Sequence, residues 1–249
     1  MQWFTPKRIF LDYASATPVL PEVRQAMEKY WSEDFYNPFA IYKEGVEVGK
    51  IVEACRAKIA QFLGVSSASI IFTSGGTEAN VLAIRGVKPG KIVAEEDCHP
   101  SVIEAAKGVG GSKVTLFSSV TTDNKLGRRI REERKKNNSD YPLLHIDASQ
   151  TAQYFNVGLE TLSCDLLTLD SAKLYGPKGI GALVVKRGLK LNLPPLGTPP
   201  VPLIVGFSKA FEIAMRDREV EHKLLSLLSN RFVKNIQHLI PVVNITQSL

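Results

Sequence analysis

Apolar positions along the chain switch between two spacings. Pro21 can open a helix at its first position, and Val23, Ala26, Met27, Tyr30 and Trp31 then recur on one helical face. Val48, Ile51, Val52, Cys55, Ile59, Phe62 and Leu63 make a second stripe, which Gly64 closes. The run Ile70 to Thr73 is instead continuous, apolar and β-branched, and Ser74-Gly75-Gly76 turns the chain after it. Thr77 to Ile84 returns to helical spacing and Gly86 ends it. Further strand-like runs are Lys91 to Ala94, Val114 to Ser118, Leu143 to Asp147, Asp165 to Leu169 and Ile180 to Val185. Helical patterns lie between most of them, among them Pro100 to Lys107 and Gly127 to Lys136. Apolar runs without alternation suit strands buried on both faces. The succession predicts βαβ units, hence an α/β layered domain on a mostly parallel sheet. Five prolines between Leu193 and Pro202 separate this body, residues 1–200, from a helical remainder, 201–249. There Leu203, Phe207, Ala210, Phe211 and Ala214, then Val220, Leu224 and Leu228, read as one or two amphipathic helices.

Composition narrows the class. A chain of 249 residues with 44% hydrophobic and 22% charged residues can bury a sizeable core without disulfides. Three cysteines, Cys55, Cys98 and Cys164, cannot all pair and show no C-x-x-C spacing, which argues against a disulfide scaffold or a structural zinc site. The opening residues lack the layout of a secretion signal, and no stretch approaches the ~20 apolar residues that span a bilayer. Unpaired thiols make a reducing cytoplasm the expected compartment. The net charge of +6 is concentrated in Arg128, Arg129, Arg131, Arg134, Lys135 and Lys136. Glu132 and Glu133 interrupt that run and no aromatic residue interleaves it, so it reads as a solvated helix face rather than a nucleic-acid surface.

Ligands of open α/β sheets gather at the carboxyl ends of the strands, where four features fall. Ser74-Gly75-Gly76-Thr77 joins a strand to a helix, so its free N–H groups and the helix dipole favour a phosphate. Asp147 ends an apolar strand and is followed by Ser149 and Gln150. Lys173 follows another strand and precedes Tyr175-Gly176-Pro177-Lys178-Gly179; His99 follows a third. Taken singly, these are a turn, a cap, a solvated amine and a surface histidine. Jointly they describe a pyridoxal-phosphate pocket: a phosphate cradle, an acid for the pyridinium nitrogen, a stacking ring and an amine for a Schiff base.

The motifs resemble those of cysteine desulfurases, in the class V aminotransferase group of fold-type I pyridoxal-phosphate enzymes. The likeness is carried by Phe10 to Pro18, Asn37-Pro38, Gly45 to Arg56, Phe72 to Asn80, His145-Ile146-Asp147-Ala148-Ser149-Gln150 and Lys173 to Gly181, and it runs from about residue 9 to about 215. It implies a three-layer large domain with residues 1–18 as an N-terminal arm, and a helical remnant of the small domain after residue 200. It implies that Lys173 binds the cofactor covalently and moves the substrate proton, that Asp147 pairs with the ring nitrogen, that Gln150 bonds the phenolic oxygen and that His99 stacks on the ring. Gly75, Gly76 and Thr77 would hold the phosphate, Asn124 would contact the cofactor, and Thr198 would reach the phosphate of a neighbouring subunit, so a homodimer is implied. The implied reaction removes sulfur from L-cysteine, giving alanine and a persulfide for iron–sulfur clusters or thionucleotides, with a sulfur-acceptor or scaffold protein as partner.

Departures from the family pattern are local. The residues before the lysine are typically Ser-Gly-His in the family and are Asp170-Ser171-Ala172 here. Two like charges about 4 Å apart cost about 4 kcal/mol at an effective dielectric near 20, so Asp170 must turn away or protonate, Ser171 must replace it as donor, or cofactor affinity falls. Lys125 stands where the family has Glu, and could offset that charge by pointing inward. The family's sulfur-accepting cysteine loop and its carboxylate-gripping arginine have no counterpart in this sequence; Cys98, beside His99, is the thiol within reach of the pocket. Two other readings stay open: a different amino-acid transformation such as a lyase or transaminase step, and a non-catalytic relative that keeps the fold as a scaffold or regulatory module.

Overall fold

A computed structural model describes residues 9–194, 197–240 and 242–243. The start of the expected arm (1–8), part of the proline-rich segment (195–196) and part of the helical remainder (241 and 244–249) lie outside the described residues. Six strands form one sheet: β1 (Ile70–Thr73), β2 (Lys91–Ala94), β3 (Val114–Ser119), β4 (Leu143–Asp147), β5 (Leu166–Asp170) and β6 (Gly181–Val185). Their order across the sheet is β1-β6-β5-β4-β3-β2. The pairs β2–β3, β3–β4 and β4–β5 are parallel, and β6 runs antiparallel to both β5 and β1. Five strands therefore point the same way, and their carboxyl ends share one edge.

Helices α1 (Pro21–Met27), α2 (Lys43–Leu63), α3 (Gly76–Arg85), α4 (Pro100–Ala106), α5 (Lys125–Asn137) and α6 (Val201–Leu239) complete the fold. Strand residues alternate between two apolar cores. On one face Ile146, Leu167, Leu169 and Val184 pack with Val52 and Ile59 of α2, Ile130 of α5, and Phe207 and Phe211 of α6. On the other, Leu116, Leu166 and Leu183 pack with Ala79, Ala83 and Ile84 of α3 and Val102 of α4. This produces three layers, and it explains why the inner strands read as unbroken apolar runs: they face helices on both sides. Phe207 and Phe211 are fully buried, each contributing about 1.5–3 kcal/mol. Gly64 takes the left-handed conformation (φ +66°) that ends α2.

The helical remainder is one helix of 39 residues, about 58 Å long at 1.5 Å per residue. No glycine or proline interrupts it after Gly206, so nothing divides it in two. Its first turns are buried, whereas Val220, Leu224, Leu227, Leu228 and Phe232 are exposed. No described helix is long and apolar enough to cross a membrane.

The basic helix α5 is not wholly solvated. Arg134 donates to Asp165 through Nη1 (3.1 Å) and Nη2 (2.5 Å), and Lys186 and the Leu144 amide also reach that carboxylate. Burial alone would push the Asp165 carboxyl up, but these donors hold it below the ordinary range.

Candidate functional site

β1 ends at Thr73, and the chain turns through Ser74 and Gly75 into α3. Gly75 has φ +145°, and a Cβ at Gly181 would come within 2.8 Å of its backbone, so β6 packs directly on the turn. Four residues into α3, the Asn80 amide points back across the sheet edge. It donates to Asp147 Oδ2 (2.7 Å) and to Ser101 Oγ (3.0 Å), while the Ser149 amide donates to Asp147 Oδ1 (3.0 Å). Asp147 is 7% exposed, an acid held at the end of β4 by two donors.

β5 ends in Asp170, and a single 3-10 turn, Ser171–Lys173, follows. Asp170 Oδ1 caps that turn by accepting from the Ala172 amide (2.9 Å), and Oδ2 accepts from the Gly76 amide at the start of α3 (3.3 Å). The turn is tied to the N-terminal segment through Thr17, whose amide and hydroxyl both donate to the Ala172 carbonyl. Lys173 Nζ donates to the carbonyls of Ala14 (2.6 Å) and Ser15 (2.5 Å), and Gln150 Nε2 donates to Ala14 as well (2.8 Å).

His99 precedes α4 and caps it. The Ser101 amide donates to Nδ1 (3.1 Å), which assigns the ring proton to Nε2. Beside it, Cys98 donates its thiol to the Ser118 carbonyl (3.4 Å), and burial pushes that thiol up to about 11. Behind the site a buried chain crosses three strands: Ser118 Oγ to His145 Nδ1 (2.8 Å), and His145 Nε2 to Thr168 Oγ1 (2.9 Å). Burial depresses His145 to about 4, partly opposed by the charge of Asp147.

A cavity of about 670 Å³ brings together Gly76, Thr77, Cys98, His99, Asp147, Gln150, Asp170 and Lys173. Gly75 lies one residue before its wall. The other expected residues lie elsewhere. Ser171 is fully buried with its Oγ against Gly176, so it does not take over as donor. Asn124 precedes α5 and Thr198 sits on an exposed loop; neither lines the cavity. Lys125 is exposed and pairs with Asp123 at 3.4 Å rather than turning inward. Asp170 does not turn away either. Asn80, Asp97 and Thr151 join the lining unforeseen, beside Ser149, which follows Asp147 in the sequence. Asn80 had a signal, as a polar residue one turn after Gly76 among the apolar positions of α3.

A larger groove of about 1000 Å³ lies at the opposite edge of the sheet, lined by Arg131, Arg134, Lys135, Asp165, Lys186 and Arg187. Ion pairs between these residues and Glu160 occupy its wall, and it holds no nucleophile beside a base. The smaller cavity is the candidate site.

The cavity fits the ring end of pyridoxal phosphate: an amine, a buried acid and an imidazole share its wall. Three buried polar atoms along it, Asn80 Oδ1, Ser149 Oγ and Thr151 Oγ1, have no partner, as expected where a polar ligand completes the bonding. The phosphate end differs, since Asp170 Oδ2 already faces the Gly76 amide.

Comparison with known proteins agrees with this geometry. The family model Aminotransferase class-V matches residues 9–135 and 128–196. The cysteine desulfurase IscS of Dictyoglomus turgidum is 32% identical over 93% of this chain and 70% of its own length. That of Rickettsia typhi is 31% identical over 94% of the chain and 69% of its own length. A solved NifS-like protein superposes with a TM-score of 0.83 at 26% identity, covering 94% of this chain and 76% of the other. Motifs, sheet order and similarity converge: the chain belongs to the aminotransferase class-V family and is a cysteine desulfurase-like member of it, among enzymes that use pyridoxal 5′-phosphate.

Proposed function

We propose that this protein removes sulfur from L-cysteine, leaving L-alanine and passing the sulfur to a thiol as a persulfide. Atoms balance with one acceptor: cysteine and RSH give alanine and RSSH. The observation that carries the reading is the meeting of Lys173, Asp147 and the Gly76–Thr77 turn in one cavity. A structure titled SspA in complex with cysteine, at 26% identity and a TM-score of 0.70, supports the choice of substrate.

When bound, pyridoxal phosphate supplies an electron-accepting ring conjugated to the substrate's nitrogen. The chain's own residues do the rest. Asp147 would keep the proton on the ring nitrogen, and Asn80 and Ser149 hold Asp147 in place. Lys173 Nζ takes and returns the proton at the substrate Cα, after leaving the Ala14 and Ser15 carbonyls. His99, with its proton on Nε2, would form one wall beside the ring, and Gln150 would bond its phenolic oxygen on leaving the Ala14 carbonyl. Cys98 lines the cavity, but burial raises its thiol to about 11 and it donates to the Ser118 carbonyl, so the acceptor thiol is one other than Cys98. A second subunit covering the exposed mouth, with Thr198 at the neighbouring site, belongs to this proposal, as does transfer of the sulfur toward iron–sulfur clusters or thionucleotides in the cytoplasm.

Mixing the purified protein with pyridoxal phosphate is expected to give a visible absorbance band that Lys173→Ala abolishes. L-Cysteine with a reducing thiol should then yield alanine and sulfide in equal amounts. A band that survives Lys173→Ala, or a Lys173-dependent band with no alanine formed, overturns the reading; the second result favours a lyase or transaminase step.

A further inference from the structure

We propose that Asp170 is a specificity-determining residue that sets the seat at the start of α3 against a doubly charged phosphate, so that the site binds unphosphorylated pyridoxal nearly as well as pyridoxal phosphate. The inference rests on the pyridoxal reading of the cavity and goes beyond it.

The seat is built to receive an acceptor. α3 is ten residues long and presents its first amides to the cavity. Ser149 Oγ, on a side chain about nine-tenths buried and without a partner, lies 3.0 Å from where a Cβ on Gly76 would stand. It is an unused hydroxyl aimed at the same spot. The spot is already claimed: Asp170 Oδ2 accepts from the Gly76 amide at 3.3 Å. The carboxylate is not free to withdraw, because its other oxygen caps the turn that carries Lys173. An incoming phosphate therefore meets a fixed anion at contact distance. Asp97 and Asp147 line the same cavity, so its lining holds three carboxylates and one amine, Lys173. Pyridoxal avoids the conflict. Its hydroxymethyl group carries no charge and can donate to Asp170 Oδ2 while accepting from Ser149.

Asp170→Asn separates charge from geometry. The side-chain oxygen still caps Ala172, and an NH2 donor replaces the oxygen that faces the seat. Titration with pyridoxal phosphate and with pyridoxal, followed by the Lys173-dependent visible band, should give wild-type Kd values within about tenfold of each other. In Asp170→Asn the pyridoxal phosphate Kd should fall at least about tenfold, roughly 1.4 kcal/mol, while pyridoxal changes less than about threefold. Equal changes for both aldehydes, or no change for pyridoxal phosphate, overturn the proposal. A measurement on the wild type alone guards against a poorly folding variant: added inorganic phosphate should leave the pyridoxal titration unmoved, and a shift in either direction means that the seat accepts phosphate. If no Lys173-dependent band forms with either aldehyde in either protein, the cofactor reading fails with it; if bands form and Asp170→Asn changes nothing, this inference alone fails.

Discussion

Asp147 owes its position to Asn80 more than to its own strand. The sequence singles out the acid because it ends an apolar run, but its orientation depends on an amide 67 residues earlier that donates to it at 2.7 Å. Asn80→Ala removes that donor and leaves a buried carboxylate oxygen without a partner, which costs about 1–3 kcal/mol. Chemical denaturation should register that loss, and the pyridoxal titration should weaken with it. Pattern reading finds residues whose type is unusual for their surroundings, such as Lys173, His99 and the Gly75-Gly76 pair. It does not find partners that use only ordinary bonding capacity, such as the carbonyls of Ala14 and Ser15. Asp170 stands between these cases: its charge is conspicuous in the sequence, whereas its bond to Gly76 requires β5 and α3 to be placed side by side.

Elements are legible where their period is strong and their ends carry a signal. α2 ends at Leu63, just before Gly64, and β1, β2 and β4 occupy the expected residues. The expected run Gly127 to Lys136 lies within α5, Lys125–Asn137, yet its charges do not share one environment. Arg131 pairs with Glu160, which is largely in solvent, whereas Arg134 folds inward onto Asp165, whose side chain is 2% exposed. Arg134→Ala strips the buried carboxylate of its bidentate partner and should destabilise the protein by about 3 kcal/mol. Arg131→Ala should cost less than about 1 kcal/mol. Thermal or chemical denaturation of the two variants side by side checks the difference; equal losses would mean that the two ion pairs are equally exposed. A charge run has no periodic marker for the one member that turns inward, so this distinction is invisible in sequence.

At the scale of the whole molecule, alternating helix and strand patterns specify three layers, because the inner strands must bury both faces. The antiparallel placement of β6 between β1 and β5 is not legible in the same way, since strand direction depends on how the chain crosses over and not on composition. The sheet also carries a titration. His145 is fully buried between Ser118 and Thr168, and its folded pKa, about 4, lies below the 6.5 of an exposed imidazole. The unfolded chain therefore binds the extra proton first as pH falls, and stability present above about 6.5 drains away toward about 4. Unfolding free energies measured across that window should fall by a few kcal/mol, and the slope should flatten in His145→Gln.

The position of β6 has a consequence of its own. The segment bearing Lys173 is strung between two neighbouring strands, fastened at one end by Asp170 opposite Gly181 and closed by the Ser171 amide on the Ile180 carbonyl. Such a tether gives the backbone beneath the reactive amine no hinge on which to drift by itself: heat that misplaces that anchor must already be prising apart the middle of the protein, so chemistry and architecture fail together.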